Sequence, residues 1–214
     1  MKKIIVIGNG GHARVVVDTL LQLNRDIIGF TDIQDGPNIF NLCYLGDDQR
    51  ILDYSPDEVE LANGIGSARG LNKRRQIFDS FTSKGYKFTQ VIHPTAVIGA
   101  HVRMGDGVQI LANATVQTFG KIGNNSLLNT SAIVEHDCKI GDHCHLAPRS
   151  VVCGNVQIGD TTFIGAGAII LPDLSLGNDV IIGAGSVVTK DIIAGSKGYG
   201  VPFRSVDLKQ NRSI

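Results

Sequence analysis

An uninterrupted six-residue period over positions 92–193 is the feature that most limits what this chain can fold into. Each of the seventeen hexads begins with an aliphatic residue or methionine, and glycine often follows. These first positions are Ile92, Ile98, Met104, Ile110, Val116, Ile122, Leu128, Val134, Ile140, Leu146, Val152, Ile158, Ile164, Ile170, Leu176, Ile182 and Val188. Such a period is typical of a parallel β-helix, in which every hexad supplies one short strand and one corner, and the stacked coils bury a common core. If three hexads form one coil, residues eighteen positions apart lie directly above one another.

The residues before the hexads alternate between strand and helix patterns instead. Apolar runs predict strands, and periodic apolar residues between charged ones predict helices. The predicted strands are Lys3–Ile7, Ile27–Thr31, Val59–Ile65 and Tyr86–Ile92, and the predicted helices are Arg14–Leu23 and Asn72–Lys84. We therefore predict a small Rossmann-like parallel α/β domain over residues 1–89, a β-helix over 90–195 and a C-terminal tail over 196–214.

A glycine turn joins the first strand to the first helix. Gly8, Gly10 and Ala13 fit the G-x-G-x-x-G/A pattern, and Asp32 ends the second strand, where an acid would reach a ribose. Glycines let the backbone approach a ligand, and the amides at a helix start favour phosphate. About ninety residues are too few for two mononucleotide halves, so a nucleotide or nucleotide-sugar fits better than a dinucleotide. The alternative is a turn that only packs the helix on the sheet.

Charge and cysteine content exclude several classes of function. Twenty basic and twenty acidic residues give a formal net charge of zero, without the basic surface that nucleic acids or anionic membranes require. The apolar run before Gly8 is too short for a signal peptide, and no segment has the length of a membrane span, so we expect a cytoplasmic protein. Cys138 and Cys144 occupy fifth positions of hexads, which should point inward, so a disulfide framework is not expected.

One hexad departs from the repeat in its chemistry. In Val134–Lys139 the usual small polar residues give way to Glu135, His136 and Asp137. Imidazole suits proton abstraction from an amine or a hydroxyl at neutral pH, and a neighbouring carboxylate orients it, so His136 is a candidate general base. Gly154 lies eighteen residues later, and we expect its missing side chain to open a groove for a thioester-linked acyl arm beside backbone amides.

Two other interpretations of this histidine-rich segment remain open. It could hold a metal, although Cys138 would then have to turn outward against the repeat. The candidate ligands for such a site are His136, Cys138, His143 and His145. It could also be a set of surface histidines. We expect no metal.

The motifs taken together resemble a known family. The chain is similar to the sialic-acid O-acetyltransferase (NeuD-type) family of hexapeptide-repeat acyltransferases, and most similar to the PglD-like enzymes that N-acetylate a UDP-linked 4-amino-4-deoxy sugar. The motifs that carry the resemblance are Gly8–Arg14, Asp32, Gly64–Gly66, His93-Pro94, Leu128–Ser131, Val134–Cys138, Gly154-Asn155 and Gly200–Pro202. Ile33, where the PglD-like pattern has a second acid, and Phe203, near the end, depart from it.

The resemblance implies a left-handed β-helix and acetyl-CoA as the acetyl donor. It implies His136 as general base and Asp137 as the residue that tunes it. The residues implied at acetyl-CoA are His145, Gly154, Ala166 and Ala184, and those implied at the nucleotide-sugar are Gly10, Gly11, His12, Asp32, Gly66 and Asn129. A homotrimer with active sites between subunits is also implied.

Three alternative functions remain open from the sequence. The same fold could O-acetylate a hydroxyl, as in sialic-acid modification. The glycine turn alone would also be compatible with an NAD-dependent oxidoreductase. A non-enzymatic scaffold would leave the pair His136 and Asp137 unexplained.

Overall fold

The structure, a computed structural model, describes residues 2–38, 40–66 and 72–206. The chain divides into two compact units. The α/β unit comprises Met1–Pro94 with Asp106–Gln109, and the β-helix unit comprises Thr95–Gly105 with Ile110–Ile214. In the part of the chain described, no helix is both long enough and apolar enough to cross a bilayer.

The α/β unit contains a three-stranded parallel sheet with the strand order β2-β1-β3. Its elements are β1 (Lys3–Ile7), α1 (Gly11–Gln22), β2 (Ile27–Thr31), a 3₁₀ helix (Asp48–Asp53), β3 (Val59–Asn63), α2 (Asn72–Thr82) and β4 (Val91–Ile92). The central strand β1 is buried on both faces from Ile4 to Ile7, as expected for a parallel strand between covering layers. This arrangement places the carboxyl ends of all three strands at one edge of the sheet.

The predicted strand Tyr86–Ile92 is wrong for most of its length. Phe88 makes only an isolated parallel bridge to Leu61, and the regular strand β4 is confined to Val91–Ile92. The Thr89 amide still donates to the carbonyl of Leu61 in β3, but the Val91 amide donates to the carbonyl of Val108. The segment therefore stops pairing with β3 after Thr89. Burial of the Phe88 ring in the core gives the segment its strand-like apolar pattern.

Short two-residue strands repeat through the β-helix unit, and their residues pair with partners eighteen positions away. Val134, for example, pairs with Val116 on one side and Val152 on the other. The strands are β5 (Val97–Ile98), β6 (Arg103–Met104), β7 (Gln109–Ile110), β8 (Thr115–Val116), β9 (Lys121–Ile122), β10 (Leu127–Leu128), β11 (Ile133–Val134), β12 (Lys139–Ile140), β13 (His145–Leu146), β14 (Val151–Val152), β15 (Gln157–Ile158), β16 (Phe163–Ile164), β17 (Ile169–Ile170), β18 (Ser175–Leu176), β19 (Ile181–Ile182), β20 (Val187–Val188), β21 (Lys197–Tyr199) and β22 (Arg204–Ser205).

Three parallel sheets form the sides of this coil. Within the β-helix unit, the strands of the first sheet follow the order β7-β10-β13-β16-β19-β21-β22, those of the second β5-β8-β11-β14-β17-β20 and those of the third β6-β9-β12-β15-β18. The last pair, β21 with β22, is antiparallel. Three hexads therefore form one coil, as the period predicts.

The first and fifth positions of the hexads fill the core. Every first-position residue from Ile110 to Val188 is buried. The predicted inward position of Cys138 and Cys144 is confirmed, and burial raises the pKa of their thiols to about 11 and about 12. All four cysteines are free thiols.

In the hexads that begin at positions 98 to 182, the fourth position forms the corner, with a left-handed backbone. Asn113, Asn125, Asp137 and Asn155 have φ values of 57°, 54°, 62° and 58°. Asparagine and aspartate tolerate this region better than most other side chains. The corner therefore favours a short polar residue at the point where the chain carries Asp137.

Candidate active site

His136 and Asp137 lie together at the corner that joins β11 of the second sheet to β12 of the third. The left-handed backbone of Asp137 turns its carboxylate toward the imidazole, and His136 Nδ1 lies 2.8 Å from Asp137 Oδ2. Because an ionised carboxylate only accepts hydrogen bonds, Nδ1 carries the proton and Nε2 is left as the acceptor. Both side chains are more than half exposed, at 58% and 55%. The dyad thus presents a basic nitrogen at the surface.

Gly154 lies directly above His136 in the next coil, where the Asn155 amide donates to the His136 carbonyl at 2.9 Å. A Cβ atom added at Gly154 would come within 2.7 Å of both Cε1 and Nε2 of the imidazole. The space left by the missing side chain is therefore taken by the ring of His136 and is not the empty groove that the stacking predicts. Glycine is required here for the imidazole to lie against the coil.

The other histidines and the neighbouring cysteine point elsewhere. The Cys138 thiol donates to the carbonyl of Cys153 at 3.0 Å, and Nδ1 of His143 lies 3.0 Å from the Asn125 amide nitrogen. Among the residues with described positions, no group of His, Cys, Asp and Glu side chains is arranged to hold a metal ion. The geometry does not fit the metal interpretation of this segment.

His145 and Asn129 form a second polar pair, on the first sheet. The Asn129 amide nitrogen lies 3.3 Å from His145 Nε2, and the His145 ring packs edge-on against Phe163. Ala166 and Ala184 stack on the corner that follows the first sheet, where the Gly185 amide donates to the Ala166 carbonyl. Within one chain, the residues implied at acetyl-CoA therefore lie on different edges of the coil.

The residues implied at the nucleotide-sugar, other than Asn129, meet in the α/β unit at the carboxyl ends of β1, β2 and β3. Gly10 caps α1 and Gly11 begins it, and an added Cβ at either position would meet nothing within 4 Å. Gly66 lies against His12, whose Cβ would be 3.2 Å from a Cβ at that glycine. Open backbone at a helix start is suited to phosphate.

Asp32 binds the glycine turn itself. Its Oδ2 accepts a hydrogen bond from the Asn9 amide and its Oδ1 accepts one from the Ile33 amide, both at 2.7 Å. The side chain of Asn9 in turn donates to the Pro37 carbonyl at 3.2 Å and accepts from the Asn38 amide at 3.0 Å. Asp32 and Asn9 therefore hold the turn between β2 and the loop that follows it. The carboxylate retains lone pairs that are able to accept a ligand hydroxyl.

His12 belongs to a buried network that sequence spacing does not reveal. Its Nε2 lies 2.8 Å from the Gln109 side-chain oxygen, and the Gln109 amide donates to the Asn63 carbonyl at 2.8 Å. The buried Arg74 guanidinium also donates to the Asn63 carbonyl, at 3.0 Å. Burial, followed by the charge of Arg74, lowers the pKa of His12 to about 4, and burial lowers the pKa of Arg74 to about 9. His12 is thus neutral at pH 7 and contributes hydrogen bonds to this site.

The low pKa of His12 predicts a loss of stability in mild acid. The unfolded chain takes up a proton on His12 below about pH 6.5, whereas the folded chain does so only near pH 4. Protonation of His12 in the unfolded chain therefore has almost no effect on the free energy of unfolding at neutral pH. At about pH 5 it lowers the free energy of unfolding by about 2 kcal/mol. Urea titrations at the two pH values should show a smaller loss for His12→Gln than for the wild type. An equal loss in both proteins would show that His12 does not titrate in this way.

Comparison with known proteins locates the chain among sugar-modifying enzymes. A sequence model of the PglD N-terminal domain matches residues 3–81, and a model of the GMPPB C-terminal domain matches residues 87–173. Among curated sequences, no protein gives a significant match.

Solved structures match nearly the whole chain. A histidine mutant of perosamine N-acetyltransferase from Caulobacter crescentus, in complex with CoA and GDP-perosamine, is 30% identical with a TM-score of 0.90, and the match covers 97% of this chain and 98% of that chain. The acetyltransferase domain of PglB from Neisseria gonorrhoeae is 30% identical with a TM-score of 0.89, covering 96% and 100%. WeeI from Acinetobacter baumannii is 26% identical with a TM-score of 0.86, covering 96% and 100%.

These matches confirm the predicted fold class, a small Rossmann-like α/β domain followed by a left-handed parallel β-helix of hexapeptide repeats. The match to the Caulobacter enzyme covers 97% of this chain, so it extends over both units and is not limited to the repeats. The chain belongs to the hexapeptide-repeat family of PglD-type sugar N-acetyltransferases.

Proposed function

We propose that this enzyme acetylates the amine of a nucleotide-linked 4-amino-4-deoxy sugar, with His136 as the general base. As a family member, it is an acetyl-CoA-dependent sugar N-acetyltransferase. The observation that supports the specific proposal is the dyad of His136 and Asp137, with the imidazole seated against Gly154.

The dyad is suited to proton transfer from an attacking amine. Acetyl-CoA supplies a thioester carbonyl, so that a C–N bond forms as the C–S bond breaks and the thiolate leaves. The Nε2 atom of His136 accepts the proton that the amine nitrogen loses. Asp137 holds the tautomer and stabilises the imidazolium that results, because its carboxylate accepts from Nδ1 at 2.8 Å. No covalent acyl-enzyme is needed for this direct transfer.

The turn of the α/β unit is the proposed site for the nucleotide. Gly10, Gly11 and the start of α1 offer backbone amides to a diphosphate, and Asp32 and Gly66 lie at the same strand ends. We propose UDP as the nucleotide, following the resemblance to PglD-like enzymes. GDP is the alternative suggested by the perosamine enzymes, which were solved with GDP-perosamine. Calorimetric titration with UDP-, dTDP- and GDP-linked amino sugars would distinguish them, and lack of binding by all three would contradict the proposal.

Asp32→Ala is expected to weaken nucleotide-sugar binding by roughly tenfold or more, which is the value of a lost hydrogen bond to a charged group. The carboxylate holds the Asn9 amide, so its loss frees the glycine turn as well as a ligand contact. Calorimetry should show the change for the nucleotide-sugar and none for acetyl-CoA. Asp47→Ala, which removes the N-cap of the 3₁₀ helix, is a control for general destabilisation of the unit. Unchanged nucleotide-sugar binding in Asp32→Ala would mean that the turn only packs α1 on the sheet.

The outer face of the second sheet supports the proposed trimer. The side chains that point outward from it are mostly aliphatic, and Val97 and Ile169 are 57% and 36% exposed. The others in this row are Thr115, Ile133, Val151 and Val187. A cyclic trimer would cover one such face per subunit and could complete each site with residues from a second copy. Sedimentation equilibrium would test this assembly. The cytoplasmic location stays a prediction.

A further inference from the structure

Three cationic side chains stand above one another on the outer face of the third sheet. Arg103 pairs with Lys121, and Lys121 with Lys139, in consecutive coils, so the rungs are spaced by about 4.8 Å. Like charges placed directly opposite one another destabilise a sheet. Within residues 2–38, 40–66 and 72–206, none of the three forms an ion pair. The column thus carries positive charge that no ion pair among these residues neutralises.

The charge is confined to part of the sheet. The next two residues in the same column are Gln157 and Ser175, which are uncharged. If this face only contacted solvent, there would be no reason for the cations to occupy three consecutive coils and then stop. The three cations therefore mark a local surface.

An exposed aromatic pair lies beside these cations. The rings of His101 and Phe119 stack with their centroids 5.0 Å apart and their planes at 13°. Phe119 is 54% exposed, and it has a φ of 62°, which is unusual and costly for a bulky side chain. In later coils the same corner position carries Asp137 and Asn155, which tolerate this backbone. Backbone strain and an exposed ring at one position are typical of a site that contacts a ligand.

The two features line one pocket with a volume of about 590 Å³. This cationic pocket comprises Arg103, Lys121 and Lys139, the pair His101 and Phe119, and the neighbouring Val102 and Asp137. Asp137 is also the partner of His136, so the pocket borders the proposed general base. Phosphate oxygens accept strong hydrogen bonds from lysine and arginine, and a nucleobase stacks on an aromatic face.

We propose that the cationic pocket binds the nucleoside diphosphate group of a substrate, with the phosphates on the cations and the base on Phe119. The proposal rests on the proposed function, in which both acetyl-CoA and the nucleotide-sugar carry a nucleoside diphosphate. A bound diphosphate would neutralise the repulsion along the column. The pocket would thereby position one of the two substrates next to His136.

The double variant Lys121→Gln/Lys139→Gln tests the electrostatic part. Calorimetric titrations with CoA, UDP and GDP should show at least one probe bound about tenfold more weakly than by the wild type. Loss for CoA alone assigns the pocket to the acetyl donor. Loss for UDP or GDP assigns it to the acceptor, and would contradict the placement of the acceptor diphosphate at the turn of the α/β unit. Lys87→Gln, which removes an exposed lysine from the α/β unit, is the matched control. Unchanged binding of all three probes would overturn the proposal.

The variant Phe119→Asn shows whether the Phe119 ring binds a ligand or only packs the corner. Asparagine relieves the left-handed backbone, so the variant should unfold at the same or a higher urea concentration. If the ring serves a ligand, the same variant should bind the affected probe several-fold more weakly. A less stable protein with unchanged affinity would show that the pair with His101 only packs the corner.

Failure of this proposal is distinguishable from failure of the proposed function. N-acetylated product is measured on the wild type at saturating substrates, whereas the pocket is measured by probe affinity in the variants. Product formation with unchanged probe affinity contradicts the pocket alone. Weakened probe binding without acetylated amine in the wild type supports the pocket and contradicts the proposed reaction.

Discussion

Replacing His136 with alanine is expected to lower kcat by about 10²–10⁴, the usual contribution of a positioned general base. The fold should not change, because the side chain is 58% exposed and is not one of the buried residues that form the core. Release of free CoA thiol in the presence of a nucleotide-linked amino sugar would give kcat, and circular dichroism would verify the fold. A variant that keeps more than a tenth of the wild-type kcat would rule out His136 as the base.

Asp137→Asn should cost less than His136→Ala. Asparagine tolerates the left-handed corner and its amide oxygen can still accept from Nδ1, so the tautomer is kept while the negative charge is lost. Asp179→Asn is a matched control, because Asp179 has a similar φ of 57° at a different corner of the coil. A loss in Asp137→Asn no larger than in Asp179→Asn would show that Asp137 does not assist the histidine.

Gly154→Ala is expected to produce the second largest loss. The new Cβ would lie 2.7 Å from Nε2 and Cε1 of His136, so the imidazole must swing away from the coil. A displacement of about 1 Å at a catalytic group can lower the rate by about a hundredfold. The larger Gly154→Leu should in addition raise the KM for acetyl-CoA more than the KM for the sugar, if the donor lies along this corner.

The control for the glycine variants is Gly36→Ala, because an added Cβ there meets only one side-chain atom, at 3.8 Å. It should leave kcat and the KM for acetyl-CoA unchanged. Wild-type kcat in a folded Gly154→Ala protein would contradict the placement of the imidazole. An unchanged KM for acetyl-CoA in Gly154→Leu would require the donor to bind elsewhere.

The repeat architecture could be predicted from the sequence because its period is strict. Aliphatic first positions and a spacing of eighteen residues were enough to predict that Gly154 lies above His136, and the structure confirms this stacking. The sequence could not predict that the imidazole of His136 fills the space beside Gly154, because the position of the ring depends on its rotamer. The same spacing also relates Arg103, Lys121 and Lys139, but the pattern alone does not show that they form no ion pair with another described residue.

The α/β unit was harder to predict at the level of individual contacts. The glycine turn, Asp32 and Gly66 were identified from local patterns, and they meet at one edge of the sheet. The link from His12 to Gln109 spans 97 positions, and no sequence period connects them. The segment around Phe88 was mistaken for a strand because a buried ring beside a parallel bridge has the same apolar pattern as a regular strand.

The bond formed in the product tests the account most directly. Wild-type enzyme is incubated with acetyl-CoA labelled with ¹³C at the carbonyl and with UDP- or GDP-linked 4-amino sugar, and the product is analysed by NMR before and after mild alkali. We expect an alkali-stable amide at the sugar nitrogen, formed at a rate that falls by about 10²–10⁴ in His136→Ala. An alkali-labile ester, or an amide formed equally fast by the variant, would contradict N-acetyl transfer with His136 as the base.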